Sequence, residues 1–192
     1  MSLARLTRER KQLLEAQQSG EVVLSTSSNT TAASVSSYSA AQGRIRADML
    51  QLDGVMSDVK MDSMDWYVVH VCCTPVRGIW QGGTFTFRLV FSDDFPYSGP
   101  KVRYTGPHRI FHPNIEGDAG KGDWGVCLGL QTEWQPTCTI KDMVVAIEML
   151  FVLPNSDDPL PGVAKTAAQI LKNDPSRFEL IARRWMGGNY VI

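Results

Sequence analysis

Two segments dense in β-branched and aromatic residues, Trp66–Cys73 (WYVVHVCC) and Thr84–Phe91 (TFTFRLVF), follow one another with only a Gly82-Gly83 turn signal and a short stretch between them. Strands that succeed each other without a crossover helix predict an antiparallel meander, not an alternating βαβ sheet. Lys101–Thr105 reads as a third short strand after Phe95-Pro-Tyr-Ser-Gly-Pro100, and Asp58–Met64 as an edge strand. Ser39 is placed to cap a helix in which Ile45, Met49 and Leu52 fall on one face. Helical periodicity then returns only at Ile140–Phe151 (Ile140, Val144, Ile147, Phe151), Val163–Lys172 and Ser176–Met186. Residues 106–139 between them show no period and read as one long irregular loop, a feature that inside a compact domain is usually functional. The expected class is α+β: an N-terminal helix, a four-stranded antiparallel meander, a long loop and C-terminal helices.

The first residues differ from the rest. Met1–Gln17 sets Leu3, Leu6, Leu13 and Leu14 among basic residues at near-helical spacing, and residues 19–39 turn Ser/Thr-rich with almost no charge, the composition of a flexible linker. The expected organisation is therefore a docking peptide and linker over 1–38 and a folded domain over 39–192. With 43% hydrophobic and 20% charged residues in 192, the chain has enough apolar surface for one core without staples. A net charge of −1 argues against a general nucleic-acid binder. Arg5, Arg8, Arg10 and Lys11 interrupt any signal-peptide core, and the most apolar stretch, Met143–Leu153, is too short to span a bilayer. The four cysteines (Cys72, Cys73, Cys127, Cys138) lack a disulfide or zinc-site spacing with His70, His108 and His112, so no metal is expected and a reducing, cytoplasmic or nuclear, compartment is the simpler reading.

The irregular segment carries the chemistry. It holds His112-Pro113-Asn114, then Val126-Cys127-Leu128, then Glu133-Trp134-Gln135-Pro136, and Pro154-Asn-Ser-Asp-Asp-Pro-Leu160 follows after a helix. Cys127 lies beside glycines, and a thiolate both attacks acyl carbons and leaves from them, as a thioester carrier requires. Asn114 offers an amide donor to a developing oxyanion, an interaction worth about 10²–10³ in rate. Asp158, between Asp157 and Pro159, offers a carboxylate to orient or deprotonate an amine. Cys72, Cys73 and Cys138 sit in apolar context and read as inert thiols. Trp134 and Pro136 read as packing under the loop.

These four motifs in this order, with Trp80-Gln-Gly-Gly-Thr-Phe85 upstream, resemble the ubiquitin-conjugating enzymes over about residues 39 to 190. The resemblance implies a thioester cysteine at Cys127, an oxyanion donor at Asn114 and a lysine-positioning acid at Asp158, with His112 and Pro113 structural. It implies a modifier and acceptor groove including Leu160 and Trp124, and ligase docking at Tyr97, Pro136 and Thr137. Twelve residues, Ile115 to Val126, separate Asn114 from Cys127. That is about five more than the family pattern, in Gly/Asp-rich material expected to loop outward at little entropic cost while Asn114 and Cys127 still converge. Trp124 is expected to be exposed there. Gly129 stands where Asp, Asn or Ser is common, and Gly99 where proline is usual.

Ser39–Ile45, the Pro154–Leu160 loop and the ending Arg184-Trp-Met-Gly-Gly-Asn-Tyr190 resemble the neddylation-type branch. That resemblance implies partners: a ubiquitin-like modifier, an activating enzyme that docks the peptide around Leu3 and Leu6, a RING or cullin-associated ligase and a substrate protein, with no nucleic acid and no membrane. It implies no bound cofactor, ATP being used upstream by the activating enzyme. The alternatives are a ubiquitin-conjugating enzyme of another branch, a non-catalytic binding module of the same fold, and a thiol hydrolase, for which the sequence supplies no convincing base.

Overall fold

The computed structural model describes residues 38–118 and 123–192. Leu3 and Leu6, with the rest of the expected docking peptide and linker, lie outside these residues.

Helix α1 (Ala40–Met49) begins where the cap was expected: the Ser39 hydroxyl accepts from Gln42 N, and the Gln42 side chain returns to Ser39 N, a reciprocal capping box. The helix stops at Met49, before Leu52, which still packs against the core from the following turn. Its Asp48 is a buried carboxylate that binds Arg44 Nε at 2.7 Å and accepts from Ile140 N at 3.1 Å, so α1 is tied to the start of a distant helix.

The meander follows as β1 (Asp58–Met61), β2 (Val68–Cys73), β3 (Phe85–Val90) and β4 (Lys101–Tyr104). All pairs are antiparallel, with Val71 opposite Phe87 and Leu89 opposite Val102. Side chains alternate across the sheet, Val69, Val71, Phe87 and Leu89 inward and His70 and Arg88 outward. Cys72 and Cys73 alternate likewise, Cys73 being buried and Cys72 half-buried.

Two expectations are corrected. The segment 106–139 is not wholly irregular: β5 (Ile115–Asp118) and β6 (Asp123–Val126) pair as a hairpin, and β6 adds to β4, giving the strand order β1-β2-β3-β4-β6-β5. The inserted residues therefore extend the four-strand meander to six strands. Trp124 is not exposed. It is only 8% accessible and belongs to the core, opposite Tyr104 on β4 and Gly117 on β5, with the Arg109 guanidinium 5.5 Å over its ring. Joining the sheet at both neighbours turns this side chain inward, which its Gly-rich flanks concealed.

A short helix α2 (Gly129–Thr132) leads toward α3 (Ile140–Val152), capped by Thr139 with Asp142. Helix α3 lays Met143, Val144, Ile147 and Phe151 on the sheet's inner face. Burying each such side chain contributes about 1.5–3 kcal/mol. Helices α4 (Val163–Asn173) and α5 (Pro175–Met186) close one end, where Phe178 and Trp185 pack on Phe111 at 5.3 and 5.2 Å. No helix among the described residues is long and apolar enough to cross a membrane.

Candidate active site

The site is assembled from residue 112 outward. His112 is buried, its ring 4.8 Å from Trp80. Nε2–H donates to Leu150 O at 2.9 Å, and Nδ1 accepts from Asn114 N at 2.9 Å, which fixes one neutral tautomer. Burial holds this imidazole down to about 4, against the weaker opposing effect of the Leu150 carbonyl. Both nitrogens are committed, so His112 is a strut that sets the angle of Asn114.

Asn114 is the hub. Its carbonyl accepts from Cys127 N at 2.9 Å, so the two residues meet at the base of the β5–β6 hairpin, where Ile115 pairs with Val126. The lengthened connection thus converges as expected, by strand pairing. The buried side-chain amide of Asn114 clasps the loop after α3: Nδ2 donates to Asn155 O at 2.9 Å and to Asp158 O at 3.2 Å, while Oδ1 accepts from Asn155 N at 2.9 Å. Leu160 N adds a bond to Pro113 O at 2.9 Å. An amide that sequence reasoning assigned to an oxyanion therefore holds, in this state, the loop that carries Asp158.

Cys127, Asn114 and Asp158 line one cleft of about 230 Å³, together with Met149 and Leu153. Cys127 is half-buried and its thiol is raised above the ordinary cysteine value, first by burial and then by the Asp158 carboxylate. Asp158 is exposed on the rim. Its neighbour Asp157 binds Lys172 Nζ at 2.6 Å, and that ammonium holds the Asp157 carboxyl below its ordinary value. Leu160 is half-buried and does not line the cleft, so its contribution here is the backbone bond to Pro113. Gly129 leaves open space at its α-carbon on the cleft wall.

The three residues expected at a ligase surface lie on two loops that touch. Trp134 Nε1–H donates to Pro96 O at 2.7 Å and its ring lies 5.9 Å from Phe95, joining the loops from beneath. The fit explains Gly99: a β-carbon there would meet the Trp134 ring at 2.8 Å. Tyr97 is 80% exposed above this joint, and Pro136 and Thr137 are exposed beside it. Sequence reasoning missed Arg44, whose guanidinium donates from α1 to Pro136 O at 3.0 Å and Cys138 O at 2.8 Å. The i,i+4 pairing of Arg44 with Asp48 was the available signal. Among the described residues no three His, Cys, Asp or Glu side chains gather as a metal site.

Residues 42–186 match the family described as "Ubiquitin-conjugating enzyme". The NEDD8-conjugating enzyme ubc12 of Schizosaccharomyces pombe is 35% identical over 159 residues, covering 81% of this chain and 84% of that one. The Arabidopsis thaliana NEDD8-conjugating enzyme Ubc12 is 33% identical over 166 residues, covering 83% of each. Among solved structures, S. cerevisiae Ubc12 superposes with a TM-score of 0.67 at 26% identity, covering 100% of this chain and 94% of that one. A Toxoplasma gondii ubiquitin-conjugating enzyme domain gives 0.62 at 25% identity, over 77% of this chain and 97% of that one. A thiol, an asparagine-clasped loop and a carboxylate around one cleft, on this sheet and within this match, identify the chain as a member of the ubiquitin-conjugating enzyme family.

Proposed function

We propose that this protein is a conjugating enzyme of the neddylation type, carrying a NEDD8-like modifier as a thioester on Cys127 and passing it to a substrate lysine. In the first step the Cys127 thiolate attacks the carbonyl carbon of the modifier thioester on the activating enzyme. That enzyme's cysteine thiolate leaves, and the thiol proton of Cys127 goes to solvent. In the second step the lysine amine attacks the same carbonyl carbon, the Cys127 thiolate leaves, and the amine loses a proton to Asp158 or to water. Asn114 positions the loop that presents Asp158. It also donates to the oxyanion through the Nδ2 hydrogen now on Asp158 O, the longer of its two bonds.

The observation that carries this reading is the environment of the thiol. Cys127 is raised by burial and by the Asp158 carboxylate that shares its cleft, and each histidine of the chain is engaged elsewhere: His70 with Asp62, His108 with Tyr190, His112 with Leu150 and Asn114. A thiol without an imidazole base suits exchange between thioesters and disfavours a thiol hydrolase, which needs that base to activate water. The neddylation branch is supported by the curated relatives, several of which are named NEDD8-conjugating enzymes.

In this reading residues 39–192 are the catalytic core and residues 1–38 a tethered docking peptide. The peptide engages the activating enzyme through Leu3 and Leu6, and a cullin-associated or RING ligase docks at Tyr97, Pro136 and Thr137. Its place of action is the cytoplasm or nucleus, in keeping with cysteines that are all free. The test is a charging assay with NEDD8 and ubiquitin side by side, each with its own activating enzyme and ATP. NEDD8 should give the faster-forming, thiol-sensitive adduct. Faster charging with ubiquitin would move the protein to another branch of the family.

A further inference from the structure

The loop that carries Asp158, residues 153–162, is anchored in its middle to the residues just before β5. Asn114 clasps its first half and Pro113 O takes Leu160 N at 2.9 Å. Its far end runs into α4, and this helix lacks a cap of its own: the N-cap is Gly162, with φ 78°, no side-chain bond and no acidic residue in the first turn. The missing acceptor comes from another element. Glu116 Oε2, on β5, accepts from Ala164 N at 2.7 Å, placing a carboxylate on the positive end of the helix. Gly162 takes a positive φ that other residues rarely adopt, and so turns the chain into α4 beside that carboxyl group.

Glu116 is also tied to the other side of the reaction. Its backbone pairs with Gly125, two residues before Cys127, and its Oε1 lies 3.5 Å from Arg109 Nη2. Arg109 in turn sits over the rings of Trp124 and Trp185 at 5.5 and 5.1 Å. One carboxylate therefore links the strand pair that ends on Cys127 to the helix that ends the Asp158 loop.

We propose that Glu116 is a positioning residue for the transfer step: by capping α4 from β5 it sets where Asp158 stands relative to Cys127. The proposal rests on the reading of Asp158 as the group that handles the incoming lysine. Loss of the carboxylate frees the end of the loop without touching the thiol. Its effect should fall on nucleophiles that need Asp158 and spare those that do not.

The test uses full-length protein charged with NEDD8 and chased, in single turnover, with free lysine or with hydroxylamine, an amine already uncharged at neutral pH. Glu116→Ala should slow discharge to lysine about tenfold, while charging and hydroxylamine discharge stay within about twofold. Glu116→Gln, which keeps an acceptor for Ala164 N but not the charge, should recover to within about threefold yet still lose more on lysine than on hydroxylamine, a ratio that serves as the readout if the alanine variant fails to fold. On an Asp158→Ala background, Glu116→Ala should add less than about twofold, because both act on one step. Equal losses with both amines, full additivity with Asp158→Ala, or unimpaired lysine discharge would each overturn the proposal. If Asp158→Ala alone discharges to lysine at the full rate, the reading of Asp158 fails first and this proposal with it.

Discussion

Replacing His112 by glutamine gives the most quantitative check on the site's framework. The ring is 1% exposed, donates to Leu150 O and accepts from Asn114 N, both at 2.9 Å. Glutamine reaches at most one of these partners well, and leaving a buried donor or acceptor unmet costs about 1–3 kcal/mol, so that is the expected loss at neutral pH. The pH dependence is sharper. Burial lowers the imidazole from 6.5 to about 4 in the fold. A histidine kept neutral in the fold binds fewer protons than in the unfolded chain, so stability is unaffected above pH 6.5 and declines as pH falls toward 4. Between pH 7.5 and 5.5 the decline works out at about 1 kcal/mol, and the full shift at about 3 kcal/mol. The other two histidines are common to both proteins and drop out of the difference. Urea unfolding followed by tryptophan fluorescence at the two pH values should therefore show the advantage of the native protein over His112→Gln shrinking by about 1 kcal/mol. A difference that does not change with pH, or an NMR titration of His112 near 6.5, would refute the buried neutral strut.

Other outcomes follow from the same geometry. Because burial and Asp158 raise the Cys127 thiol, its alkylation by iodoacetamide should be slow at pH 7 and rise about tenfold per pH unit up to pH 9; Asp158→Asn should accelerate it, as read by mass spectrometry. Asn114→Ala removes three bonds to the Asp158 loop and should slow isopeptide formation by about 10²-fold while reducing charging much less. Tyr97→Ala should weaken ligase-stimulated transfer several-fold with charging and melting temperature unchanged, since the side chain is exposed. Double substitution of Leu3 and Leu6 by alanine should raise the apparent KM for charging several-fold, with Cys127 still reactive to alkylation.

Local signals were the legible ones. Ser39 announced a helix cap, and the β-branched and aromatic density of Trp66–Cys73 and Thr84–Phe91 announced paired strands. Each of these is decided by neighbours in sequence. The β5–β6 hairpin was not legible, because Ile115–Asp118 and Asp123–Val126 together contain two glycines and three acidic residues and no clean alternation. β5 pairs only with β6, and β6 is held in the sheet by β4, a long-range contact that also buries Trp124. Of the site, residue types were legible and their duties were not. Asn114 has the chemistry of an oxyanion donor, yet only the fold shows its amide spent on Asn155 and Asp158. Buried carboxylates were equally hidden: Glu148 interrupts the most apolar stretch of the chain, and accepts from the backbone N–H groups of Met56 and Ser57, at 2.8 Å each. Such roles depend on which distant N–H groups arrive, and sequence spacing does not carry that information.

The central claim is that Cys127 alone carries the modifier, and locating the adduct tests it most directly. Full-length protein should be charged with NEDD8, its activating enzyme and ATP, quenched without reductant, and the linkage mapped by peptide mass spectrometry. The account predicts one modifier per chain, joined to Cys127 as a thioester that collapses in thiol reductant. Cys127→Ser should replace it with a slower-forming oxyester that survives reductant. A thiol-sensitive adduct that persists in Cys127→Ser, or one mapped to Cys72, Cys73 or Cys138, would contradict the account.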